Sequence, residues 1–399
     1  MHFSSKSEEF MNYFLENFNS YIQSKTFNQQ KNVDNISKIL YRQIRLASIM
    51  IDKKKIEKKV DSTFNHTSSL LNSHYVPTYI LNFIQTKSLK KIQYKTIIQS
   101  NRNIEINFIL FKNKYNTKIF DNYITWILIW LYMINNKTKC SKTLKIYIYM
   151  TPFIKELPYN QSITLSPDNA NSAVTTSCVV NGEIIIFREE EWFKVLIHET
   201  FHVLGMDFSS MNCDKINKQI YKQFPITSEF NLFEAYSEFW ATIINCAFCC
   251  FNLLDEDKNK QNFMLYMEFC IQAEQIFSLF QMNKVLNFIG ISYKNLYTKD
   301  EIGEYSRLLY KEKTNIFSYY IVKSILLYHI GDFLNIMDMT YNFTKTETNL
   351  FRFVNFISKY KNNTKFLEDF EKLNPNNLQL DGKIKTSMRM SICEIYNEN

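Results

Sequence analysis

The chain has 399 residues, of which 46% are hydrophobic and 16% aromatic, and its formal net charge is +8. This composition excludes a largely disordered chain, and so modest a charge gives only weak support to a nucleic-acid partner. Eight cysteines without the paired short spacings of a zinc ribbon or a small disulfide scaffold predict free thiols and a reducing compartment. Cys246, Cys249 and Cys250 lie on one predicted helix and are interpreted as ordinary buried thiols.

The first hundred residues predict packing helices followed by a hairpin. Apolar residues recur every three or four positions from Glu8 to about Met50, which is typical of two amphipathic helices. The basic run Lys53 to Lys59 is interpreted as a solvated helix face. Two β-rich runs, Ile92 to Ile98 and Ile104 to Phe111, are joined by a polar turn and predict a β-hairpin.

A helix and two strands follow. The apolar pattern of Phe120 to Ile134 predicts a helix, and Lys145 to Thr151 predicts a central strand. The polar stretch Pro152 to Val180 is interpreted as an unusually long functional loop. Glu183 to Phe187 then predicts an edge strand, which either pairs with an extended peptide or is covered by that loop.

The motif HETFH carries the strongest chemical signal. His198 and His202 are four residues apart, so a helix places both imidazoles on one face, where they could bind one metal ion. Glu199 is then placed to act as a general base, and Gly205 stands where the helix would end. Catalytic zinc generally takes three protein ligands, so a third must come from elsewhere.

Asp207 and Asp214 are nearby candidates for the third ligand, but the better candidate is in the apolar helix predicted for Asn231 to Leu254. That helix carries Glu234 and Glu238 one turn apart. HETFH followed by EAYSE resembles the gluzincin branch of the zinc metallopeptidases. The resemblance implies that Glu234 is the third zinc ligand and that Glu238 orients a zinc-bound histidine through its far ring nitrogen.

The same resemblance implies an α+β, zincin-like fold. A small twisted sheet with a backing helix and the HExxH helix would precede an α-rich C-terminal lobe. Helices are predicted there at Phe263 to Phe280, Met282 to Ile289, Glu301 to Tyr310 and Phe317 to Leu334.

Gluzincins commonly use a tyrosine or histidine of the C-terminal lobe to stabilise the oxyanion. Tyr320 is the residue chosen for this catalytic role, with Tyr319 and His329 as alternatives. Arg389 could meet a substrate carboxylate, but a surface arginine is the simpler interpretation.

The sequence predicts four regions and a soluble intracellular protein. The start of the chain lacks the pattern of a signal peptide, and no apolar run is long enough to span a membrane. The protein is therefore expected in the cytoplasm, or in the host cytoplasm or virion if a virus encodes it. The regions are an N-terminal helical part (1–88), a sublobe with the sheet and HExxH helix (89–210), a helical sublobe with the glutamate ligand (211–345) and a C-terminal extension (346–399).

The expected function is a Zn²⁺-dependent peptidase acting on a protein or peptide, with no nucleic-acid partner. A two-histidine, one-carboxylate site could also hold Fe(II), but the HExxH spacing on one helix favours zinc. The alternative is a zincin-shaped binding or structural protein with little or no turnover.

The chain also resembles uncharacterised HExxH proteins of large nucleocytoplasmic DNA viruses. The resemblance is carried by three stretches, LKIYIYMTPFIKELP, NSAVTTSCVVNGEIIIFREEEWFKVLIHETFHVLGMDFS and FNLFEAYSEFWA.

Overall fold

The computed structural model describes residues 1–24, 30–66, 68–99, 102–112, 116–337, 343–375 and 382–396. Its fold is mixed α+β, with a six-stranded sheet and many helices. The strands are β1 (His2–Phe3), β2 (Glu57–Asp61), β3 (Lys90–Ile98), β4 (Arg102–Leu110), β5 (Thr143–Tyr149), β6 (Ala173–Thr175), β7 (Asn181–Ile186) and β8 (Ile395–Tyr396).

Helices surround this sheet and form nearly all of the second half of the chain. A π-helical turn, Phe317–Val322, immediately precedes α11. The α-helices are α1 (Ser5–Ser24), α2 (Gln30–Ile51), α3 (Thr78–Lys87), α4 (Thr117–Ile134), α5 (Pro167–Ala170), α6 (Trp192–Val203), α7 (Asp214–Tyr221), α8 (Leu232–Leu253), α9 (Lys260–Ile289), α10 (Glu301–Leu309), α11 (Lys323–Tyr328), α12 (Ile330–Ile336), α13 (Glu347–Tyr360), α14 (Thr364–Lys372) and α15 (Gly382–Thr386).

The sheet has the strand order β2-β3-β4-β5-β7-β6. Strands β4, β5 and β7 are parallel, whereas β2, β3 and β6 pair antiparallel with their neighbours. The register places Ile106 of β4 opposite Ile146 of β5, and Ile146 opposite Ile184 of β7. All three side chains are buried, so this row anchors one face of the sheet in the core.

The two faces of the sheet are covered differently. One face joins the large apolar core that also contains residues of α2, α4, α6, α8 and α9. The opposite face packs against α3 through Ile80 and Ile84, which contact the cluster that includes Ile185 and Phe187. Because both faces are covered, the inner strands carry runs of apolar residues rather than a simple alternation.

Several predicted elements are confirmed. The N-terminal helices, the hairpin β3–β4, the helix α4 and the strand β5 all form where the periodicity places them, within a few residues. The division into four regions stays a prediction. In the described part of the chain, α2 packs against both α4 and α8, and one apolar core runs from Phe10 to Ile395.

Three predictions about local structure are wrong. Strand β7 is not the edge of the sheet, because β6 pairs with it on the outer side, and β6 belongs to the stretch expected to be a loop. The basic run ending at Lys59 enters strand β2 instead of a helix. The two helices predicted between Phe263 and Ile289 are one continuous helix, α9.

The cysteines also differ from expectation. Cys140 and Cys178 form a disulfide, so the prediction of free thiols is wrong for this pair. The other six cysteines are free, and all but Cys213 are buried. No helix among the described residues combines the length and apolar character needed to cross a bilayer.

Candidate metal centre

The motif HETFH lies on α6, directly after strand β7. Residues of α6 are buried along its whole length, and Trp130 of α4 donates an indole hydrogen bond of 2.8 Å to Thr200. The helix ends at Gly205, which has a φ of 61°, and the amide of Met206 donates to the carbonyl of Phe201. The end of the helix predicted near Gly205 is therefore confirmed.

Helix α8 packs against α6 and brings Glu234 to the two histidines. The Nε2 atoms of His198 and His202 are 2.9 Å apart. Glu234 Oε2 lies 3.1 Å from the first Nε2 and 3.4 Å from the second. Metal bonds of ~2.0–2.1 Å at tetrahedral angles separate neighbouring ligand atoms by about 3.3 Å, so these three donors fit one zinc ion.

Each histidine also has an acidic partner at its far nitrogen. His198 Nδ1 lies 3.0 Å from Glu238 Oε1. His202 Nδ1 hydrogen-bonds to Asp207 Oδ2, and Asp207 is itself held by the backbone amide of Ser209 at 3.1 Å. These contacts fix both rings with Nε2 facing Glu234, and Nε2 is the nitrogen through which each ring would bind a metal.

Buried lysines neutralise the second oxygen of Glu238. The ammonium group of Lys194 donates a hydrogen bond to Glu238 Oε2, and that of Lys323 lies 3.8 Å from it. Burial alone would raise the pKa of Glu238, but Lys194 and His198 outweigh it and hold the pKa well below its usual range. Glu238 is therefore an ionised carboxylate, as the role of orienting His198 needs.

The pKa values of His198 and Glu234 reflect the same balance between burial and neighbouring charges. Burial lowers the pKa of His198, but hydrogen bonds with Glu234 and Glu238 outweigh it and raise the pKa to about 9. For Glu234 burial opposes ionisation, yet the two histidines hold its pKa far below the usual range. The three donors thus form a charge-complementary cluster before any ion binds.

Glu199 lines a small cavity of about 40 Å³ beside the three donors. Burial raises the pKa of Glu199, although the neighbouring histidines partly offset this effect. The cavity is also lined by His198, by Tyr319 and by Ala173 of the sheet edge. A carboxylate with a raised pKa beside the ligand cluster is suited to accept and return a proton near neutral pH.

The structure places Tyr319, not Tyr320, at this cavity. The Tyr319 hydroxyl donates to Glu234 Oε2 at 3.3 Å. The Tyr320 hydroxyl instead donates to the backbone carbonyl of Met388 at 2.6 Å, so the choice of Tyr320 is corrected on geometric grounds. His329 packs against Tyr360, with ring centroids 4.2 Å apart and the ring planes tilted by 38°.

Two other candidates lie away from the ligand positions. Asp214 is exposed in the first turn of α7, and Asp207 contacts the far nitrogen of His202 instead of joining the three donors. Arg389 is fully buried and lies 3.1 Å from Glu394 Oε2, so its interpretation as a surface residue is wrong.

Sequence reasoning missed the buried lysines and the C-terminal segment. Lys194 is one turn before His198 on the same helix, and this spacing could have suggested a shared partner such as Glu238. Lys155 and Met390 also line the cavity. They come from distant parts of the chain, and no local pattern indicates that they meet there.

Comparisons with known proteins find one distant similarity. No protein-family model matches the chain, and no solved structure matches it significantly. The chain is 26% identical over 116 residues to an uncharacterised protein of Acanthamoeba polyphaga mimivirus, a match that covers 29% of this chain and 28% of that protein. The similarity points to a relative of viral type, and the relative carries no described activity.

Proposed function

We propose that the chain is a zinc-dependent metallopeptidase. The observation that carries the proposal is the convergence of two imidazole nitrogens and one carboxylate oxygen within 4.8 Å of one another. Both rings are also held from behind by carboxylates. Two imidazoles and a carboxylate that converge on one point, with each ring held at its far nitrogen by a further carboxylate, are the arrangement typical of catalytic zinc sites.

The roles of the residues follow from their positions. His198, His202 and Glu234 would hold the ion, which when bound would make a water more acidic and polarise the scissile carbonyl. Glu199 would take the proton of the attacking water and deliver it to the leaving amine. Tyr319 would donate its hydroxyl hydrogen bond to the developing oxyanion, and burial together with Glu234 keeps the pKa of Tyr319 high, so it remains a donor.

The edge strand suggests how a substrate would be held. Ala173 of β6 lines the cavity, and among the described strands β6 pairs only with β7. An extended peptide could therefore add to β6 as a further strand and present a carbonyl to Glu199. This orientation makes the substrate a protein or peptide segment without secondary structure.

The decisive experiment compares the wild-type protein with Glu199→Gln on a broad peptide library, with cleavage read by mass spectrometry. We expect the wild type to cleave, and the variant to lose turnover while it retains its zinc. Glu229→Gln, which changes an exposed carboxylate, serves as the control and should cleave normally. Cleavage by Glu199→Gln at the wild-type rate would refute the role of this residue.

One observation favours a second candidate function, a zincin-shaped binding or structural protein of viral type. The cavity beside Glu199 is only about 40 Å³, far below the roughly 300–1,000 Å³ that is typical of ligand pockets. Wild-type protein that holds zinc at His198, His202 and Glu234, and yet cleaves nothing in the library, would support this function over the peptidase.

A further inference from the structure

A second group of metal-binding side chains lies deep in the helical half of the chain. Single ligand atoms of Cys246, Glu274 and Cys393 all lie within 4.8 Å of one another, and the three side chains are buried. They come from α8, α9 and the segment before β8. Cys246 follows Glu234 by twelve residues on α8, about 18 Å along the helix axis, so this cluster is separate from the histidine site.

Among the described residues, the carboxylate of Glu274 has hydrogen-bond donors at only one of its two oxygens. Its Oε1 atom accepts hydrogen bonds of 3.0 Å from the amides of Ile392 and Cys393, and a further one from the hydroxyl of Ser391. Its Oε2 atom is buried, and no hydrogen-bond donor reaches it among the residues described. A buried carboxylate oxygen without a partner is costly, and a metal ion would remove that cost.

Cys270 offers a fourth ligand. It precedes Glu274 by one turn of α9, so both side chains lie on the same face of the helix. Its sulfur lies 3.6 Å from that of Cys250 and hydrogen-bonds with Cys393.

We propose that Cys246, Glu274 and Cys393 form a structural site for a thiophilic divalent cation, with Zn²⁺ as the preferred ion, and that the neighbouring Cys270 completes it as the fourth ligand. Four protein ligands without an open position are typical of structural zinc. The ammonium group of Lys323 lies near Glu274 and Cys246 and partly offsets the negative charge of the ligands. The site would fasten the C-terminal segment to α8 and α9, and it does not depend on the peptidase proposal.

Cobalt distinguishes the two sites, because only thiolate ligands give a sulfur-to-cobalt charge-transfer absorption in the near ultraviolet. Full-length protein is reduced, stripped of metal and titrated with Co²⁺. We expect two ions per chain and a strong charge-transfer band. His198→Ala/His202→Ala should lose one ion and keep the band, whereas Cys246→Ala/Cys393→Ala should lose the other ion and the band.

Two further variants test whether the cobalt signal comes from the proposed ligands. Cys249→Ala changes a buried thiol of α8 outside the proposed ligands and should keep the band. Glu274→Gln preserves the shape of the side chain, so it serves if the double cysteine variant does not fold. It should weaken Co²⁺ binding by more than about tenfold, since even residues beyond the ligands contribute that much. A wild-type protein without the band, or an unchanged affinity in Glu274→Gln, would overturn the proposal.

Discussion

At the scale of single residues, each histidine of the candidate metal centre is held by a carboxylate at its far ring nitrogen. Glu238 holds His198, and Asp207 holds His202, each at Nδ1. The two carboxylates differ in their own support, because Glu238 is paired with Lys194 while Asp207 accepts hydrogen bonds from Ser209. Both rings are thereby fixed, which would lower the entropic cost of binding the proposed metal ion.

Tyr319 and Tyr320 give a matched pair of predictions about the oxyanion. We expect Tyr319→Phe to lower kcat by roughly 10²–10³-fold, with little change in KM or zinc content, because its hydroxyl would act mainly on the transition state. Tyr320→Phe removes a buried hydrogen bond to Met388 and should cost about 1 kcal/mol of stability while kcat stays near the wild-type value. Peptide-cleavage kinetics check both, and equal losses of kcat would contradict the assignment.

The residue scale also shows what a sequence can reveal. His198, Glu199 and His202 follow from spacing on one helix, and the structure brings Glu234 to the two histidines as the resemblance implies. The choice between Tyr319 and Tyr320 could not be made from spacing. Both lie in a π-helical turn, where the residues per turn differ from those of an α-helix, and the partner of Tyr320 is 68 residues away.

At the scale of elements, the outer strand of the sheet is too short to be predicted from the sequence. Strand β6 has only three residues, Ala173–Thr175, and it lies in a polar stretch whose composition favours a loop. The strand exists because β7 offers it a partner, which is a tertiary effect rather than a local preference. The apolar run of β7 predicted a strand correctly, yet such a run occurs in edge and central strands alike.

Helix α9 carries a buried amine that should make stability depend on pH. The ammonium group of Lys284 donates to the carbonyls of Ile384 and Ser387 at 2.8 and 2.5 Å. Burial lowers the pKa of Lys284 from 10.5 to about 7. Between these two values the unfolded chain binds a proton that the folded chain does not, so the free energy of unfolding contributed by Lys284 must rise with pH.

We therefore expect the free energy of unfolding to increase with pH more steeply in the wild type than in Lys284→Met. The difference should grow by on the order of 3 kcal/mol between about pH 7 and about pH 10. Urea unfolding at several pH values measures it. The variant lacks the two hydrogen bonds at every pH, which shifts its curve without changing the slope. Parallel curves for the two proteins would show that Lys284 titrates normally.

At the scale of the whole molecule, two short strands from opposite ends of the described residues pair with each other. Strands β1 and β8 pair antiparallel, and the segment before β8 runs through the interior with Met388 and Arg389 fully buried. No local pattern predicts this path, because a short polar and apolar run near a terminus is usually exposed. Its partners include Asn245 of α8, Gln281 of α9 and Glu191, which immediately precedes α6.

Glu191 connects this segment to the start of α6. It has a φ of 57°, and its amide donates to Glu394 at 2.7 Å. Its carboxylate accepts from Lys155 and from the amides of Met390 and Ser391, the last at 2.6 Å. Burial would raise the pKa of Glu191, but Lys155 and Arg389 outweigh it and lower the pKa to about 2.

Replacing this carboxylate should weaken the whole fold. In Glu191→Gln the new amide group faces Lys155 with no charge to neutralise the ammonium, so we expect a loss of about 3–5 kcal/mol in the free energy of unfolding near neutral pH. Because the folded-state pKa is lowered, the stabilisation by Glu191 is present above its ordinary pKa and fades as the pH falls towards 2. The two proteins should therefore converge in stability in acid.

Glu256→Gln changes an exposed carboxylate and is the control for urea unfolding. If Glu191→Gln loses no more free energy of unfolding than Glu256→Gln, the C-terminal segment is held by packing alone.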